Sequence, residues 1–179
     1  LSDDIFAKIV ACIRIAVPYT GMIVSTRESV ESRKRVLELG ISQISGGSRT
    51  SVGGYVEEEA EEDNSAQFDV IDNRTLDEVV HWLMELGYVP SFCTACYRAG
   101  RTGDRFMELL KSKQIVNCCH PNALMTLKEY LIDYASADTK RIGDELIAKE
   151  LGVITNPVVR ENCEKYLARI EGGERDFRF

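Results

Sequence analysis

Cys93 and Cys96 stand in CTACYRAGRTG (residues 93–103), and Cys119 follows in NCCHP to give C-x2-C-x22-C. A C-x2-C turn aims two thiolates at one point, while backbone amides and Arg98 offset their charge, so the chemistry on offer is metal capture by soft ligands. Three sulfurs leave one coordination position over, and two readings stand side by side. With His120 as fourth ligand the set is a closed structural Cys3His zinc site, strained because His120 is adjacent in sequence to Cys119. Without it, three thiolates hold a 4Fe-4S cluster with one iron open to a small ligand. Spacing alone divides about evenly between them. A thioredoxin-like redox pair fits less well, since it wants its C-x-x-C at a helix start in a βαβ context, and this half of the chain has almost no strand pattern.

The neighbours of these thiols have plain and sharp readings. Arg98, Arg101 and Arg105 form either a solvated helix face or a group of cations handling anions beside the metal. His120 reads equally as a turn residue, and His81 as a surface or packed residue of a helix. Cys12 and Cys163 fall at apolar positions of predicted helices, where a lone Cys behaves as a small buried hydrophobe.

These residues need elements to carry them. Asp3 to Ile15 has helical spacing behind Ser2, entered directly; YTGMIVS (19–25) reads as a buried parallel strand. Ser25-x-x-Glu28 reads as a capping box ahead of a helix that stops at Gly40, and ISQIS (41–45) as the next strand. Helix, strand, helix, strand is the rhythm of a parallel sheet. Two strands with one crossover do not close such a sheet, and six more would make a (β/α)8 barrel with polar residues at the strand ends, here Ser25, Thr26, Arg27 and SGGSRTSVGGY (45–55). Residues 56–74 are polar and acidic and read as a solvated loop. Thr75-x-x-Glu78 is a second capping box. Helices follow at 102–113, 122–134, 139–151 and 156–170, the last capped by Asn156 with Pro157 in its first turn. The predicted fold class is therefore α/β: the last βα units of a TIM-type barrel, then a mainly helical C-terminal domain.

Composition bounds the partners. In 179 residues, 44% hydrophobic, there is material for one ordinary domain or two small ones. The formal charge of −7, with an acidic run at 57–63, argues against a nucleic-acid partner. No stretch approaches a membrane span or a secretory apolar region, so the expected compartment is the cytoplasm, where structural disulfides are rare.

STRES (25–29), SGGSRTSVGGY (45–55) and CTACYRAGRTG with Cys119 together resemble HydG, the family of tyrosine-cleaving radical S-adenosylmethionine maturases of iron-only (FeFe) hydrogenases. The first two motifs are shared with the related thiazole-synthesis tyrosine lyase; the three-cysteine set separates the families. The resemblance runs from about Asp3 to the end. It implies that residues 1–60 are the last part of the barrel, 61–74 an acidic linker and 75–179 a domain for an auxiliary 4Fe-4S cluster. By that resemblance Cys93, Cys96 and Cys119 ligate the cluster, which works with an additional iron. Arg27, Ser45, Ser48, Arg49 and Thr50 would bind the carboxylates of tyrosine or S-adenosylmethionine, against the plainer reading that they only satisfy loop amides.

The family also implies S-adenosylmethionine and a second 4Fe-4S cluster on a C-x3-C-x2-C loop, absent from this sequence, and an iron ligand from a barrel histidine matched by neither His81 nor His120. The implied reaction cleaves tyrosine to p-cresol and dehydroglycine, converts the latter to carbon monoxide and cyanide, and assembles an Fe(CO)2(CN) unit for the hydrogenase H-cluster. The implied partners are the missing N-terminal barrel half and other hydrogenase maturation proteins. This chain alone is expected to be inactive, and its unpaired strand edges are expected to invite self-association. The alternative is a helical binding module stabilised by zinc.

Overall fold

The computed structural model describes residues 2–51, 54 and 68–179. They divide into two compact units, Leu1–Val79 and Val80–Phe179.

In the first unit α1 (Asp3–Ala16) starts where the Ser2 hydroxyl accepts from the Ile5 amide, with Asp3 and Asp4 favourably placed in the first turn. Its inner face buries Ala7 and Val10. Ile5, Ile9 and Ile13 lie on another face and stay 43–49% exposed. Cys12 is exposed as well, which corrects its assignment to the core: α1 is apolar around most of its girth, so sequence did not say which side is covered. Arg14 secures the helix end, donating to the Gly40 carbonyl from Nε at 3.1 Å and Nη2 at 2.6 Å and to Pro18 and Thr20 through Nη1. Gly40 has φ +96°, and a Cβ there would lie 3.0 Å from Arg14 Nε, so glycine is required twice over.

β1 (Ile23–Val24), α2 (Val30–Glu38) and β2 (Gln43–Ile44) form a parallel pair with its crossover helix, in the register Ile23 to Gln43 and Val24 to Ile44. The strands are far shorter than predicted. Each has one neighbour among the described residues, and a parallel ladder without flanking strands has little to extend it. The cap of α2 also differs from expectation. Ser29 accepts from the Ser32 amide, while Ser25 accepts from Arg27 in a local turn, so the residue nearest the helix took the capping role. The α/β reading thus stands as one βαβ unit; the described residues do not form a barrel.

The acidic run at 57–63 lies outside the described residues. Residues 68–74 are mostly exposed but tied down by their backbone: Ile71 and Asp72 both donate their amides to the Thr26 carbonyl at 3.0 Å, and Gly47 donates to the Arg74 carbonyl at 3.2 Å. α3 (Leu76–Glu85) begins at the predicted capping box, with Thr75 N to Glu78 Oε2 at 2.7 Å and Glu78 N to Thr75 Oγ1 at 3.3 Å.

The second unit is helical, as expected. α4 (Ala95–Arg98) is one turn, α5 spans Gly103–Lys111, and the long α6 (Val116–Asp133) packs against α7 (Ala137–Val153) and α8 (Pro157–Glu171). Leu124, Met125, Leu127, Leu131, Cys163 and Ile170 fill the core between them. Cys163 is the buried hydrophobe predicted. α6 starts six residues earlier than its periodicity suggested, so NCCHP is helix rather than turn. Short i→i+3 bonds from Val116, Asn117 and Cys118 wind the chain before Pro121 arrives, and the proline then forfeits only its own amide bond.

Nothing in the sequence pattern marked residues 174–179, which strap back over the helices. Arg175 clamps Asp133, Asp176 accepts from Arg98, Phe177 stacks on Tyr166 at 4.8 Å, and the Phe179 amide donates to buried Asn122 at 2.9 Å.

Candidate metal centre

Gly100 (φ +60°) and Gly103 (φ +55°) take the left-handed conformation that other residues rarely adopt, after the end of α4 and at the start of α5. Cys93 precedes α4, where its Sγ accepts the Ala95 amide at 3.3 Å; Cys96 lies inside α4, and its carbonyl accepts the Arg101 amide at 2.8 Å. The helical start of α6 supplies Cys118 and Cys119.

Crowding by protein pushes the Cys119 thiol up to about 11, negative charge on Cys96, Cys93 and Cys118 pushes the same way, and Arg101 opposes them. Cys119 is nonetheless exposed, and a metal that takes it as a thiolate displaces its proton. Among the described residues, no group of three or more His, Cys, Asp or Glu side chains already converges as a metal site. The donor chemistry is nevertheless that of a thiolate-ligated group: three soft ligands at C-x2-C-x22-C, with a backbone amide already on one sulfur.

The remaining candidates around the thiols are otherwise engaged. Arg98 makes a two-pronged pair with Asp176, and Arg105 lies 3.5 Å from the Ala99 carbonyl. His120 turns toward α7, with Nε2 3.0 Å from Glu150 Oε2. His81 sits 3.2 Å from Thr139 Oγ1 and 3.6 Å from Glu85, a packed surface residue as expected.

In the first unit Arg27 follows β1 and lays its guanidinium over the Phe68 ring at 3.7 Å, an arrangement favourable for cation and π system. Thr50 Oγ1 donates to the Phe68 carbonyl at 2.7 Å, so one residue braces both strand-end loops. Ser45 is half-buried, its amide donating to Val24 and its carbonyl accepting from Arg33. Ser48 is half-buried and Arg49 exposed.

Beneath these loops is a feature the sequence reading missed. Asp72 accepts from both Arg33 and Arg74, the latter at 2.8 and 2.6 Å. Hydrogen bonding from Arg74, with the charge of Arg33 behind it, outweighs burial and lowers the Asp72 carboxyl to about 2. The signal available was the pairing of an arginine in a helix with an Asp-x-Arg at its far side, which carries no period.

The model of the Biotin and Thiamin Synthesis associated domain matches residues 1–89. A crystal structure of HydG, a maturase of the FeFe-hydrogenase, matches the whole chain at 55% identity and a TM-score of 0.94, over 38% of its own length. The FeFe-hydrogenase maturase HydG from Carboxydothermus hydrogenoformans matches 93% of the chain at 37% identity and a TM-score of 0.69, over 34% of its length. The chain therefore spans little more than a third of these relatives. No curated protein matches it.

Proposed function

Because the chain belongs with the C-terminal part of HydG, the FeFe-hydrogenase maturase, we propose that it is the auxiliary-cluster part of a radical S-adenosylmethionine tyrosine lyase. The observation that supports this most directly is the match over the whole of this chain at 55% identity, with Cys93, Cys96 and Cys119 standing at C-x2-C-x22-C.

In this reading Cys93, Cys96 and Cys119 hold a 4Fe-4S cluster. Such a cluster, held by three thiolates and working with an additional iron, would supply the coordination chemistry for an Fe(CO)2(CN) unit. The chain's own part is then to hold and shield. Ala95 and Arg101 stabilise sulfur charge, and the helical core of α6, α7 and α8 fixes where Cys119 stands. Arg27 and Arg49 offer charge-assisted hydrogen bonds to the carboxylate of tyrosine or of S-adenosylmethionine, with Ser45, Ser48 and Thr50 as weaker hydroxyl partners. The Asp72 network keeps those strand ends in place. S-adenosylmethionine and the radical-generating cluster belong to a barrel portion outside this sequence, and the whole acts in the cytoplasm with other hydrogenase maturation proteins.

The experiment is a chimera in which these 179 residues replace the matching part of HydG. Tyrosine should be cleaved to p-cresol with release of carbon monoxide and cyanide. In the Cys93→Ser chimera p-cresol should persist while carbon monoxide falls away. A folded chimera that binds tyrosine and cleaves none, or a Cys93→Ser form that makes carbon monoxide at the parent rate, would remove the reading.

A further inference from the structure

Asp176 holds the left-handed backbone conformation, φ +72°, which is uncommon outside glycine, asparagine and aspartate. It makes polar contacts in two directions. Its amide donates to Glu129 Oε1 on α6 at 2.8 Å, and its carboxylate accepts from both terminal nitrogens of Arg98 on α4. On either side of it residues 175–179 are tied to the helical core: Arg175 donates to Asp133, Phe177 stacks on Tyr166 at 4.8 Å, and the Phe179 amide donates to Asn122. The Phe179 carbonyl then accepts from Arg101 Nη2 at 2.5 Å.

The cysteine turn has few other ties. α6 packs along both α7 and α8, but α4 and α5 share no such face with another element, and α5 buries none of its residues. Just before Cys93 the chain is anchored by Phe92, whose amide donates to Thr126 Oγ1 at 3.2 Å and whose ring stacks on Tyr130 at 4.9 Å; Ala95 is buried. Among the described residues, the hydrogen bonds that side chains of residues 93–103 send beyond the turn both run to the strap, from Arg98 to Asp176 and from Arg101 to Phe179. Arg98 lies two residues from Cys96 on the same short helix.

We infer that residues 175–179 are a latch on the cysteine turn, with Asp176 as the positioning residue that closes it. With the Arg98–Asp176 pair made, the turn bearing Cys93 and Cys96 is held to α6, which bears Cys119; with the pair broken, the turn opens locally while the helical core stays folded. The two side chains are 46% and 56% exposed, so the pair is weak enough to break and re-form and is screened by salt, unlike the buried Arg33–Asp72 pair. Openings of this kind belong to the low end of a protein's range of local stabilities. Arg178 lies 3.4 Å from the same carboxylate but does not reach the turn. The latch is built from contacts within the chain alone, so it stands or falls apart from the cluster reading.

The test is native-state hydrogen exchange, read by nuclear magnetic resonance on the unloaded 179-residue protein. The reporters are the amides of Ala95, bonded to Cys93 Sγ, and of Arg101, bonded to the Cys96 carbonyl, set against amides in the middle of α6. Asp176→Gly keeps the left-handed backbone and its amide but removes the carboxylate, and Arg98→Met removes the other half. Each variant should speed exchange of the two turn amides about two- to fivefold, as loss of one exposed ion pair allows, with no further gain in the double variant and no change in α6. Raised salt should speed the same amides in wild type and leave them nearly unchanged in Asp176→Gly. Wild-type exchange of the turn amides in Asp176→Gly overturns the inference, as does an equal acceleration in α6, which would make the pair a general stabiliser. Additive effects in the double variant, or a salt response that survives Asp176→Gly, overturn it too.

Discussion

Arg33 pairs with Asp72 from 39 positions away in sequence, and both side chains are shut off from solvent, at 0% and 1% exposure. Asp72 is held at about 2, below the ordinary carboxylate value near 4. A depressed carboxyl adds stability that is fully present above its unfolded-state value and disappears as pH falls through its folded value. The first unit should therefore lose about 2 kcal/mol between roughly pH 4 and pH 2. Urea unfolding at pH 5 and at pH 2.5 measures this; equal acid sensitivity in wild type and Asp72→Asn would exclude Asp72 as the source.

The two partners should not be equivalent. Arg33→Met leaves Asp72 still paired with Arg74, whereas Asp72→Ala leaves the Arg33 cation buried without a counter-charge. Removing one partner of a buried pair costs about 3–5 kcal/mol when the other is stranded. Asp72→Ala should reach that range in urea unfolding at pH 7 and Arg33→Met should cost clearly less. The reverse order would mean that Arg33 acts through its packing.

Gly143 in α7 faces Leu131 of α6 so closely that a Cβ would lie 2.4 and 2.6 Å from the leucine methyls. Alanine improves helix propensity by about 1 kcal/mol, but Leu131 is core and has little room to yield, and overpacking costs about 1–3 kcal/mol. Gly143→Ala should lower the thermal midpoint. A raised midpoint would show that α6 and α7 can move apart freely.

Asn156 Oδ1 accepts from the amides of Val158 and Val159 at 3.1 and 3.3 Å, and Pro157 leaves no amide to satisfy at the first position. Asn156→Ala should cost about 1 kcal/mol, seen as a lower melt by circular dichroism, and Asn156→Asp should cost little. Equal losses for both would argue against the cap.

What was legible in the sequence was mostly local. Thr75 with Glu78, and Asn156 with Pro157, announce helix starts because each satisfies its own nearby amides. The cysteine spacing and the full-chain likeness to HydG were legible for a different reason, since both are carried by residue identity rather than by period. The misses are long-range or context-bound. Ser25 had the right pattern for a cap, yet Ser29 was nearer the helix. The turn read at His120, ahead of a helix from 122, is helix instead, because bonds further back had already wound the chain. The Arg33–Asp72 pair and the strap from Arg175 to Phe179 join residues 39 and more than 40 positions apart, and no periodicity records such pairs. The exposed Ile5, Ile9 and Ile13 show the converse: an apolar pattern tells that a face wants cover, not whether these residues provide it.

The most direct measurement is anaerobic loading with iron and sulfide, followed by iron, sulfide and zinc analysis and low-temperature electron paramagnetic resonance, on wild type, Cys119→Ser and Cys118→Ser. About four irons and four sulfides with a reducible signal, lost in Cys119→Ser and kept in Cys118→Ser, is the expected result. One zinc without sulfide, or a signal that survives Cys119→Ser, would contradict the assignment of Cys93, Cys96 and Cys119 as the ligands of an open iron-sulfur cluster.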